Sequence, residues 1–185
     1  FCFHQIIMKK RYFNCRELVV IGVFAASVKV VTMLIALAGG GLNPVSLILK
    51  NLVFTTLMVV LLYKVRKTGA LTLFSLVSAL ISFVLLGGGI TSIPSSLCSA
   101  MFTELCVILT GGCKRSYAPV VGAFFYDLIS KTASLCVSYI MVRETPGVIF
   151  MVVGIVAIGY IGSFLGLGTG VYCARELKHA GIINR

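Results

Sequence analysis

"AASVKVVTMLIA", residues 25–36, decides what kind of chain this is. Lys29 lies among aliphatic side chains there, with only Ser27 and Thr32 as polar company. The run around it, 18–38, is apolar on every side and has the roughly 20-residue length that crosses a bilayer. Lys29 is therefore read as a charge held inside a membrane, and the question becomes what keeps an ammonium there.

Composition extends that reading to the whole chain. Of 185 residues, 59% are hydrophobic and only 11% charged, with no Trp, and the mean hydropathy is +1.08. A water-soluble domain carries roughly a quarter charged residues, so the apolar excess faces lipid. The net charge of +11 comes from short Lys/Arg clusters between long apolar runs. That is unlike the even basic coat of a nucleic-acid binder. The seven cysteines show no CxxC and no metal-ligand spacing with histidine, so they read as small buried hydrophobes.

Residues 1–7, "FCFHQII", precede Met8, where "MKKRYF" reads as a natural start; residues 1–8 are set aside, and 9–183 are expected to form a single domain. Windows of spanning length fall at about 18–38, 44–63, 69–87, 93–111, 118–141 and 148–173. Pro94 is expected in the first turn of the fourth. Lys9, Lys10, Arg11 and Arg16 precede the first window, and Lys64, Arg66 and Lys67 follow the second. Lys114 and Arg115 follow the fourth, and Arg175, Lys178 and Arg185 follow the sixth. The remaining connections hold only Arg143, which predicts that both termini lie in the cytoplasm. These clusters also suit anionic headgroups or an acidic partner.

Five charges stay within the spans: Lys29, Lys50, Lys131, Glu104 and Asp127. A central charge costs about 2.5–3.5 kcal/mol even on insertion scales, so each implies a partner, water or a ligand. The three lysines fall at middle to outer depth. Asp127 and Lys131 are four apart and share a helix face, acid first. One reading pairs Lys131 with Asp127 and Lys29 with Glu104, while Lys50 reaches the interface on its long stem. The other has the lysines line an outward-facing cavity that holds a carboxylate or phosphate. Three lysines against two acids leave one positive charge over, which favours the ligand.

Small residues form a second pattern. Gly22 and Ala26 make a small-xxx-small pair, as do Ser75 and Ala79, and Gly154, Gly159, Gly162, Gly166 and Gly170 run along the last span. Such stripes allow close helix approach, within the fold or to another subunit. There is no HExxH, GxSxG or Walker loop, and His4 and His179 lie outside the spans. Neither a catalytic residue nor a metal or cofactor site is expected, and uphill transport would need an energising partner.

Four segments carry a family resemblance: "ELVVIGVFAAS" opening the first span, "KVRKTGALTLFSLV" across the second junction, "TELCVILTGGCKRS" leaving the fourth span, and "CARELKHAGI" near the end. The chain resembles the substrate-binding S components of energy-coupling factor (ECF) transporters, and within them the Trep_Strep group of integral membrane proteins. The resemblance implies a six-helix bundle that binds a small nutrient from outside and topples to release it. It also implies association with a transmembrane coupling subunit and two cytoplasmic ATPase subunits. In that family an AxxxA-like stripe on the first helix meets the coupling subunit; Gly22 and Ala26 match it, with Gly in place of the first Ala. Lys29 is two turns beyond Gly22 and only about 20° round the helix, so it leans toward the same side.

The expectation is an all-α, polytopic protein of the bacterial cell membrane, with six transmembrane helices, N-in and C-in. It would capture a small anionic nutrient, a vitamin or a tetrapyrrole with carboxylates, for an ATP-driven importer. Lys131, Lys50, Lys29, Asp127 and Glu104 are the candidate substrate contacts, with Phe83, Phe102 and Tyr139 to cover a planar ring. Gly87, Gly88 and Gly89 give hinge freedom to a candidate lid. The expected partners are the coupling and ATPase subunits, the substrate and membrane lipid, without nucleic acid. Two alternatives remain: an ion-coupled transporter or channel using Asp127 and Glu104, and a structural assembly subunit in which the buried charges are ion-pair glue.

Overall fold

The computed structural model describes residues 13–39, 43–86, 92–109, 118–141 and 146–181. These residues form six helices: α1 (Cys15–Gly39), α2 (Pro44–Lys64), α3 (Ala70–Leu86), α4 (Ser92–Leu109), α5 (Ala118–Met141) and α6 (Pro146–His179). Five coincide with an expected apolar window to within a few residues and α6 runs six residues beyond the end of its window, because apolar runs and their polar or glycine-rich breaks set most of the helix limits. Pro44 occupies the first turn of α2 after Asn43, where its missing N–H costs nothing. Pro94 likewise falls in the first turn of α4.

Four helices are long and apolar enough to cross a membrane: α1, α2, α5 over Ala118–Val137, and α6 over Phe150–His179. The other two are shorter apolar helices. The 17 residues of α3 reach about 26 Å at 1.5 Å per residue, just short of a 30 Å hydrocarbon core. The sequence pattern predicts six spans, and the structure establishes four by length and composition.

The helices pack in a ring in which α1 meets α3, α3 meets α4, α4 meets α5 and α5 meets α6. Helix α2 closes the ring, touching α1, α5 and, over its greatest extent, α6. The core is hydrophobic, with Ile21, Met58, Leu61 and Phe74 buried, but the outer surface is apolar as well. Val84, Phe150 and Val45 are 79%, 81% and 75% exposed, while Ser46, Thr55, Ser75, Ser99, Thr103 and Ser163 are buried. Aliphatic side chains outward and small hydroxyls between helices is the arrangement that lipid favours.

The α2–α6 contact follows from the glycine stripe. Gly162, Gly166 and Gly170 face α2 so closely that a Cβ on Gly166 would lie 2.7 Å from the Leu52 carbonyl oxygen. A Cβ on Gly170 would lie 2.9 Å from that of Val59. Thr56 fastens the seam, its hydroxyl 2.7 Å from the Thr169 hydroxyl and within reach of the Gly166 carbonyl.

One end of the bundle is tied by acids. Glu17 accepts from the Asn14 backbone N–H at 2.9 Å and from the Lys67 ammonium at 2.7 Å, joining the start of α1 to the α2–α3 connection. Gly69, at φ +93°, makes the turn into α3.

The seam gives a test. Gly166→Ala places a methyl against backbone and is expected to destabilise the protein by about 1–3 kcal/mol. Gly168→Ala, with open space around it, is expected to be neutral or stabilising by up to about 1 kcal/mol. Unfolding midpoints of the two variants in detergent should move in opposite directions.

Candidate functional site

Among the described residues, the densest buried polar cluster sits midway along α5, where it meets α6 and α2. Asp127 and Lys131 form the pair their spacing predicts, with Nζ 2.7 Å from Oδ2 and both side chains nearly buried. The ammonium also donates to Ser163 Oγ on α6 at 2.6 Å and lies 4.4 Å from the centre of the Tyr160 ring. Ser163 in turn donates to the Gly159 carbonyl one turn earlier. A Cβ on Gly159 would lie 3.1 Å from Asn51 Nδ2 on α2 and 3.7 Å from Lys131 Cε. The missing side chain at Gly159 leaves space beside the lysine stem.

Next to the pair is a void of about 10 Å³, enough for a single water. Asp127, Tyr160, Ser163 and Thr55 border it, with Phe124, Phe164 and Leu167 completing the wall. Thr55 is 1% exposed, and its hydroxyl has no partner among the described residues. The cluster thus holds a cation matched by one carboxylate, an accepting hydroxyl, an unused hydroxyl and three aromatic rings.

The other expected contacts lie elsewhere. Glu104 accepts from the backbone N–H groups of Leu71 and Thr72 at 3.0 and 2.9 Å, so its carboxylate caps the first turn of α3. The pairing of Lys29 with Glu104 is thereby corrected: a short acid near two orphan N–H groups is more useful there than on a distant lysine. Lys29 is half-buried on α1, and its ammonium makes no ion pair or hydrogen bond among the described residues. Lys50 is half-buried in the second turn of α2. Phe83, Phe102 and Tyr139 are 47%, 60% and 55% exposed and stand on the outer surface of the bundle, away from the cluster's void. Gly87, Gly88 and Gly89 lie outside the described residues. On α1, Ala26 is exposed and a Cβ on Gly22 would meet nothing within 4 Å, so among the described residues this small-residue face is uncovered.

Two further hollows exist. A groove of about 400 Å³ runs between the end of α1 and the start of α2, lined by Leu34, Ile35, Ala38, Val45, Ser46 and Leu49. It is aliphatic and not the cationic hollow that the lysine count suggests. A pocket of about 30 Å³ at the opposite end touches Arg66, Lys67 and Glu104.

Sequence reasoning reached Asp127 and Lys131 but missed Ser163, Tyr160 and Thr55. Ser163 had a detectable signal: it follows Gly159 by four on the glycine face of α6.

Fold and cluster together define a multi-pass, all-helical integral membrane protein with a buried ion pair at its centre. Residues 15–145 match the family model described as a hypothetical bacterial integral membrane protein, Trep_Strep. The chain belongs to that family and is a multi-pass protein of the bacterial membrane. No curated protein and no solved structure matches it.

Asp127→Leu or Lys131→Met alone leaves one buried charge unmatched and is expected to cost about 3–5 kcal/mol, whereas the double variant should recover most of the loss. Unfolding midpoints in detergent form the double-mutant cycle. Glu104→Ala should cost about 0.5–2 kcal/mol, the scale of a lost helix cap, and leave the cycle's coupling energy unchanged.

Proposed function

We propose that this protein is the substrate-binding S component of an ATP-driven ECF-type importer, capturing a small anionic nutrient such as a vitamin or tetrapyrrole with carboxylates. In this reading all six helices cross the membrane, α3 and α4 at the short end of the spanning range, with both termini and the basic loops cytoplasmic. The coupling subunit and two ATPases supply the energy, since the sequence carries no nucleotide-binding loop.

The charge imbalance within the membrane carries the proposal. Lys29 is half-buried within α1 and its ammonium makes no ion pair or hydrogen bond among the described residues, while Glu104 is engaged at the head of α3 and Asp127 with Lys131. A surplus of intramembrane cations is expensive unless a ligand anion offsets it. The uncovered Gly22/Ala26 face adds support, because small residues left open on a spanning helix suit close docking of another membrane helix. The ion-coupled alternative is weakened by the same facts: Glu104 is occupied by backbone donors and Asp127 by a lysine, so neither carboxylate offers an empty ion site.

Tagged protein expressed in its host should copurify with a coupling subunit and two ATPases, and native mass spectrometry should show a retained anionic small molecule. Ala26→Trp should abolish copurification while the isolated protein's unfolding midpoint stays within about 2 °C of wild type, given the open space on that face. Ion-gradient-driven uptake by the protein alone in vesicles would overturn the reading.

A further inference from the structure

We propose that Asp127 is a built-in stand-in for the ligand, and that the group it stands in for is a carboxylate. The inference rests on the capture reading and deepens it: the group that meets Lys131 is one carboxylate of the nutrient, not a phosphate or other anion.

The Lys131 ammonium has two oxygen contacts, Asp127 Oδ2 at 2.7 Å and Ser163 Oγ at 2.6 Å, and faces the Tyr160 ring. The first contact is an anion supplied by the same helix one turn back. An i,i+4 carboxylate is a replaceable partner, because it can swing away by side-chain rotation while its helix stays in place. The bordering void, of about 10 Å³, cannot hold a ligand beside the pair, so a ligand anion has to take Asp127's position.

Thr55 supplies the complementary half of the exchange. Its buried hydroxyl borders the same void as Asp127 and has no partner among the described residues. It is an idle donor placed to receive the displaced carboxylate, since a buried hydroxyl without an acceptor is costly and gains by finding one. The charge of the site then selects the ligand. A single ammonium, that of Lys131, faces the Asp127 carboxylate and offsets a single negative charge. The rings of Phe124, Tyr160 and Phe164 border the void, and such flat walls suit a planar carboxylate better than a tetrahedral dianion such as phosphate.

Chemical rescue tests this without knowing the nutrient. Asp127→Ala vacates the carboxylate position and should lower the unfolding midpoint of the purified protein in detergent. Formate, acetate and propionate should each restore about half or more of the loss, saturably, at concentrations where chloride, sulfate and phosphate of equal ionic strength do not. Asp127→Ser, which keeps a small polar group, is read in the same way should the alanine variant fail to accumulate. Adding Lys131→Met to either variant should remove the response. Equal effects of all anions, no effect of any, or a carboxylate response that survives Lys131→Met would overturn the proposal. Loss of copurification with transporter subunits would sink the capture reading while leaving this rescue intact, so the two failures are distinguishable.

Discussion

The close seam between α2 and α6 is the constraint on which the central cluster depends. Gly162, Gly166 and Gly170 bring the two backbones into direct contact, and only at that separation do the Thr56 and Thr169 hydroxyls meet. The same face of α6 carries Gly159 and Ser163, so the seam also sets where Ser163 stands relative to α5. In hydrocarbon, apolar surface gives helices no reason to associate, and close contact with shared hydrogen bonds takes over that role. The lysine of α5 is consequently held between its own acid and a hydroxyl whose position α2 determines at one remove.

Charge is distributed along the bundle by the same need to satisfy orphan polar groups. At one end Glu17 and Glu104 serve backbone N–H groups, with Lys67 drawn to the first of them. In the middle a lysine and an aspartate neutralise each other. A carboxylate capping a helix start gains from the helix dipole as well as from two hydrogen bonds, so it is a poor candidate for moving to a ligand. A buried carboxylate facing a single ammonium one helical turn away is a better one. This difference separates Glu104 from Asp127, although both read as intramembrane acids in the sequence.

Much of the fold was legible because membrane helices are written in long apolar runs, and the six helices fall on the six windows. The Asp127–Lys131 contact was legible because helical periodicity alone puts the two on one face. The Lys29–Glu104 pairing was matched by charge alone, whereas the partners of Glu104 are backbone N–H groups at the start of α3, which charge counting does not register. Phe83, Phe102 and Tyr139 were placed by residue type, and aromatic rings serve a lipid-facing surface as readily as a cavity wall. Thr55 and Ser163 stayed hidden because hydroxyls within a span ordinarily satisfy themselves on the preceding turn. The structure shows that Ser163 also takes up the lysine and that the Thr55 hydroxyl has no partner among the described residues.

The length of α6 has a consequence of another kind. Its 34 residues extend about 51 Å, some 20 Å more than a hydrocarbon core, and the excess ends in Arg175, Lys178 and His179, whose ring donates to the Arg175 carbonyl. A rod of that size, charged at its tip and welded by glycine to its neighbour, acts as a depth gauge. It fixes how high the whole molecule rides relative to the lipid phosphates, and a change in bilayer thickness reaches the rest of the protein as tilt about that rod.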